Sequence, residues 1–297
     1  MLTALFVVAR IVANPVSNVF QKQLTQRSAN PLFIIGATDA LLTLAALPLL
    51  FFGELPLRLG AGFWPNMVIA ASLAVGSNAL LVYALQSTGL SVLGPINAYK
   101  SVISLGLGVF LLGEIPAPLG LAGVLLIVAG SYFVVDRDLK RPHSNVFTLF
   151  FRQRGVQFRF AALALSATEA IFLKKALLLS SPLITFIFWS ILGLPIAATA
   201  ILLLLRRRLG NEFVVLRHHW RTYLWLATTT GLMQLTSLLT FGKLQVGYSL
   251  ALFQLSTLIS VFLGYRYFQE GQIRKRLVGS LIMAAGAALI VLRGHGG

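Results

Sequence analysis

Two charged residues lie where the surrounding sequence is apolar. Lys100 is the one charge between Arg58 and Glu114, inside a run over about residues 90–112. Glu169 is the one acid in the apolar segments of the second half of the chain. If these runs cross a membrane, a Lys near mid-depth costs about 2.5–3.5 kcal/mol on insertion scales, so it needs a partner or a ligand. Facing each other across a cavity, Lys100 and Glu169 would each favour the charged form of the other. Such a pair suits an amino acid, with its carboxylate on Lys100 and its amine on Glu169. Alternatively, Lys100 alone binds a carboxylate or phosphate and Glu169 carries a coupling proton. A salt bridge that only fixes helix register is the structural alternative.

Polar neighbours accompany both. Asn97, Lys100, Ser101 and Ser104 fall at i, i+3, i+4 and i+7, one helical face, and Pro95 predicts a kink beside them. Near the N-terminus Arg10, Asn14, Ser17, Asn18 and Gln21 form a second polar face. Lipid cannot solvate such a face, so it must meet protein or water. Asn14-Pro15 predicts a further kink, and Arg10 is expected to pair with Asp39. Ser166 shares a face with Glu169, while Asn78, Tyr83, Thr230, Gln234, Ser237, Gln254 and Thr257 are softer candidates. The substrate-binding set is therefore Asn97, Lys100, Ser101, Glu169, Asn14, Ser17, Asn78, Gln234 and Gln254. Hydroxyls and amides between membrane helices are more often packing groups than ligands, which weakens each one taken alone.

The elements that must position these groups follow from composition. Of 297 residues, 57% are hydrophobic and only 11% charged, against about 25% in soluble domains. That excludes a water-soluble globule and predicts an all-α integral membrane protein. The net charge of +16 sits mainly between apolar runs, which suits lipid headgroups and not nucleic acid. Without Cys there is no thiol chemistry, and His143, His218, His219 and His295 lie in expected loops or the tail, so neither metal nor cofactor is expected. Ten runs approach the ~20 residues a spanning helix needs: about 3–21, 32–52, 65–86, 90–112, 117–135, 160–179, 183–205, 222–242, 246–268 and 274–292. Arg10 interrupts the first run, which argues against a signal peptide. Residues 136–159 form the long basic linker. Lys174, Lys175, Lys243 and Arg266 lie towards segment ends and are expected to snorkel.

The linker divides two similar halves. Ile103-Ser104, Gly108 and Glu114 reappear 156 residues on as Ile259-Ser260, Gly264 and Glu270. Gly123 and Gly130 reappear as Gly279 and Gly286 at the same offset. With five segments each, the halves must insert upside-down relative to one another. The boundaries are 1–137, a linker over 138–158, and 159–294. The glycines, Gly106 among them, predict close helix contacts. Glu114 and Glu270 are expected to stabilise the start of the helix that follows each. The second half is shorter before Ile259, so the Gly94–Ser101 stretch is expected to depart from pseudo-symmetry.

Gly113-Glu114 after the fourth segment, the paired glycines of the fifth and tenth, and the two halves resemble the EamA-type drug/metabolite transporters. Gln269-Glu270 departs from the family's Gly-Glu. The resemblance implies a ten-helix secondary carrier, with its cavity lined by segments 1, 3, 4, 6, 8 and 9. It implies that amino acids, sugars, nucleotide-sugars, sugar phosphates or drugs are moved; because Lys100 and Arg10 favour a negative group, export of small polar metabolites such as amino acids or organic anions by alternating access is the first expectation. A multidrug or cation exporter is the alternative, and a non-transporting scaffold a further one. An enzyme is not expected, because Asp39 and Glu169 have no intramembrane His beside them. No G-x4-G-K-[ST] loop supports ATP drive. The partners expected are a small molecule and the bilayer of the cell's inner or plasma membrane, with a homo-oligomer compatible. Basic residues concentrate on the side of the 136–159 linker, which puts both termini outside; the family usually has them inside.

Overall fold

The computed structural model describes residues 2–52, 59–88, 93, 96, 97, 99–134, 154–268 and 273–293. Glu270 and the expected linker as far as residue 153 lie outside them. Twelve α-helices and one 3-10 turn occur among the described residues, with no strand. They are α1 (Leu2–Gln26), α2 (Pro31–Phe52), α3 (Phe63–Ser87), α4 (Tyr99–Leu112), α5 (Pro118–Val134), α6 (Arg154–Leu178) and α7 (Pro182–Leu205). After the turn Arg206–Arg208 come α8 (Leu209–His218), α9 (Trp220–Phe241), α10 (Val246–Phe253), α11 (Ser256–Phe268) and α12 (Ile273–Arg293).

Local sequence sets the ends. Ser181 caps α7 by accepting from Ile184 N–H, with Pro182 in the first turn where a missing donor costs nothing. Asn30 Oδ1 takes Leu32 N–H at 2.9 Å to start α2. Gly113, at φ 68°, ends α4 in the left-handed region and turns the chain back, so that Glu114 N–H reaches Gly108 C=O.

Among the described residues six segments are long and apolar enough to cross a membrane. Large apolar side chains such as Phe110, Leu203 and Leu281 stand outward, as a lipid-facing surface requires. The chain is an integral, multi-pass membrane protein. The principal helix pairs are α1 with α9, α3 with α6, α2 with α7, α5 with α12, and α4 with both α10 and α6. In the last pair a Cβ on Gly123 would stand 2.6 Å from Gly286 O, and one on Gly286 equally close to Gly123 O. Gly130 meets Gly279 in the same way, so these glycines do hold a close crossing. Gly106 has nothing within 4 Å of its would-be Cβ and plays no such part.

Four expectations change. First, α6 starts at Arg154, so Arg154 and Arg159 are helical and not linker. Second, α1 continues through Pro15 as one helix. Third, the expected ninth segment is two helices, separated at Gln254-Leu255 by 3-10-type bonds from Gln254 N–H to Ala251 C=O and from Leu255 N–H to Leu252 C=O. The first half has a turn at Asn97 before α4 begins at Tyr99. Gly94, Pro95 and Ala98 of the Gly94–Ser101 stretch lie outside the described residues. Fourth, Lys174 does not snorkel: its Nζ meets Glu114 Oε1 at 2.5 Å and Leu244 C=O at 3.0 Å. Glu114 Oε2 in turn accepts Val246 N–H at 3.0 Å. The acid therefore stabilises the start of α10 across the molecule, not that of the next helix.

Candidate functional site

A polar cavity of about 110 Å³ lies among α1, α2, α3, α4, α6, α7, α9 and α10. At about 30 Å³ per water in the liquid, this is space for roughly four waters. From the expected set it gathers Asn14, Ser17, Asn78, Asn97, Lys100, Glu169, Gln234 and Gln254. Ser101 is the exception: it is fully buried in α4, which packs on α6 and α10, and does not line the space. Ser104 and Tyr83 also lie away from it, the latter beside Phe158. Thr257 lines only a smaller adjoining hollow.

The charges are arranged around Glu169. Lys100 and Arg10 both act on its carboxylate electrostatically. The Trp189 indole N–H lies beside the same group without closing a standard hydrogen bond. Arg10 does not pair with Asp39. Its Nε donates to Ser237 Oγ at 2.7 Å, and its guanidinium lies 4.9 Å from the Phe253 ring centre. The cation thus has one hydrogen bond and one aromatic face. Asp39 lines the cavity opposite Gly193, where a Cβ would come 3.2 Å from Oδ2. The missing side chain leaves room for the carboxylate.

Amides and hydroxyls tie the breaks to the helices around them. Asn97 Nδ2 donates to Gln254 Oε1 at 3.0 Å, linking the turn before α4 to the break after α10. Gln254 Nε2 donates to Leu250 C=O, and Asn14 Nδ2 to Ser256 Oγ at 3.2 Å. Ser17 and Thr230 hydroxyls meet at 3.0 Å between α1 and α9. Broken helices at membrane depth free backbone polar groups, which suits walls that bind polar ligands.

Asp39, Thr38, Trp189 and Arg159 enter the site without having been assigned to it from sequence. For Arg159 a signal existed. Arg159, Ser166 and Glu169 fall at i, i+7 and i+10, one face extended two turns beyond the Ser166–Glu169 pair. The position of the helix start hid it, because a basic residue before an apolar run looks like a loop residue.

Residues 1–136 match the EamA-like transporter family. That stretch is similar to a family of membrane transporters, in agreement with the resemblance read from Gly113-Glu114. No curated protein matches the sequence significantly. Among solved structures 28 chains match. One, a crystal structure described only as that of a protein, aligns at a TM-score of 0.71 and 14% identity over 98% of this chain and 97% of the other. At that identity the likeness concerns the fold alone.

Proposed function

We propose that the protein is a secondary transporter, working as an exporter of small polar metabolites such as amino acids or organic anions. The observation that carries this reading is the polar, charged cavity among broken helices in a chain whose first half is EamA-like. A non-transporting scaffold would have no use for a hollow lined by Arg10, Lys100, Arg159, Asp39 and Glu169 at that depth. Three cations against two acids favour a substrate with an anionic group over a cationic drug.

Alternating access would come from two inverted five-helix halves, 1–137 and 159–294. The helix pairing supports this. A two-fold relation between the halves exchanges α1–α9 with α6–α3 and maps α2–α7, α4–α10 and α5–α12 onto themselves. Those pairs are among the most extensively packed, with α4–α6 beside them. The Lys174–Glu114–Val246 linkage would close the end of the cavity at which α6 stops and α10 starts. Glu169 is the first candidate for the coupling proton, and Asp39 offers a second carboxylate on the opposite wall.

The test is a substrate screen on purified protein. Amino acids and organic anions should raise its thermal stability, and the same compounds should show flux in proteoliposomes. Stabilisation by aromatic cations and not by these anions would replace the reading with that of a drug exporter.

A further inference from the structure

Arg159 holds a position that the pairing of Lys100 with Glu169 does not use. It lies about one and a half turns into α6, is only 8% exposed, and lines both the main cavity and the hollow beside it. Its buried Nε has no hydrogen-bond partner. Glu169 is balanced by Lys100 and Arg10, and no carboxylate among the described residues reaches Arg159. Its charged neighbour is Lys100, a like charge acting on the same space. In the smaller hollow Arg159 stands among neutral groups, Asn14, Asn18, Asn97 and Ser260; the space it shares with Lys100 is the main cavity. Two like charges sharing one cavity repel unless an anion lies between them, and a guanidinium presents a planar fork matched to carboxylate or phosphate oxygens.

We propose that Arg159 and Lys100 form an anion subsite at this end of the cavity, which takes the carboxylate or phosphate group of the substrate on the Arg159 fork. The ammonium end of an amphoteric substrate then faces Glu169. The substrate class becomes a small molecule with an obligatory anionic group, and Arg159 becomes the residue that selects it. This rests on the reading of the cavity as a substrate site. The test needs no flux, however, so a protein that binds anions and transports nothing would sink that reading and leave this one.

The experiment measures binding of acetate and of inorganic phosphate to the purified full chain by calorimetry, with acetamide as the uncharged control. Wild type should bind at least one of the two anions saturably and acetamide not at all. The tighter of the two tells whether the group is a carboxylate or a phosphate. Arg159→Gln should weaken that binding at least tenfold. Arg159→Lys, which keeps the charge and loses the fork, should weaken it about threefold or more. Arg207→Gln, in the exposed 3-10 turn, should leave it unchanged. Absence of saturable binding to wild type, or affinity within twofold of wild type in Arg159→Gln, overturns the proposal. Should Arg159→Gln fail to fold, unchanged affinity in Arg159→Lys overturns it instead.

Discussion

Glu114 with Lys174, and the cavity with its five charges, are two polar groupings inside one membrane protein, and they are built differently. Around Glu114 every polar atom is used. One carboxylate oxygen takes Lys174 Nζ, the other takes Val246 N–H, and Lys174 also donates to Leu244 C=O. Glu114 and Lys174 side chains are only 13% and 12% exposed. Around the cavity, atoms are left over. Buried partnerless side-chain atoms occur on seven residues among those described, and five of them, Arg10, Gln21, Arg159, Trp189 and Gln234, line the cavity. Buried polar groups normally find partners, and a group left without one asks for water or ligand. A closed grouping fixes how elements sit; an open one waits for something to bind.

That contrast can be broken at its closed end first. Lys174→Met leaves Glu114 buried with its charge unpaired, and should cost about 3–5 kcal/mol of stability. A thermal melt in detergent measures it, and a loss below about 1 kcal/mol would mean the linkage is not structural. Gly123→Ala drives a methyl into Gly286 O and Ile290 and should cost about 1–3 kcal/mol by overpacking. The same melt checks it.

At the open end stability should change little and transport should change instead. Glu169→Gln and Asp39→Asn separate the two carboxylates. If Glu169 carries the coupling proton, Glu169→Gln abolishes pH-driven accumulation yet keeps exchange of substrate across the membrane, whereas Asp39→Asn keeps both. The opposite pattern assigns the proton to Asp39. Loss of exchange in both variants assigns the two residues to binding or structure.

The smallest effect belongs to an exposed contact. His219 shares a hydrogen bond of 2.8 Å with Arg27. What burial it has, then the Arg27 and His218 charges, hold its imidazole below its ordinary value. A depressed folded-state value means that its contribution is present above the ordinary value near 6.5 and is lost as pH falls through the lowered one. Between pH 7.5 and 5 wild type should therefore lose slightly more stability than His219→Gln. Equal losses would remove the contact from the account.

Much of this was legible in the sequence. Intramembrane Lys and Glu stand out because apolar surroundings make them costly, so Lys100, Glu169 and the Arg10–Gln21 face could be placed before any coordinates. The glycines at a shared offset marked close helix contacts, and Gly123, Gly130, Gly279 and Gly286 make them where α5 meets α12, while Gly106 does not. What failed has common causes. Helix starts are blurred where basic residues precede an apolar run, which hid Arg159. A break without Pro or Gly, as at Gln254-Leu255, carries no breaker signal. Facing a cavity and facing a neighbouring helix look alike at one-residue spacing, which put Ser101 beside Lys100 in the expected site although it is packed away. Partners across the chain, such as Glu114 with Lys174, need the tertiary arrangement.

The central claim is that the open grouping is a substrate site built on Lys100. The direct measurement is flux of a stabilising compound in proteoliposomes bearing Lys100→Ala, alongside a melt of the same protein. The account predicts flux reduced to the level of empty vesicles in a protein that still folds, because Arg10 remains to balance Glu169. Full flux in a folded Lys100→Ala protein would contradict it.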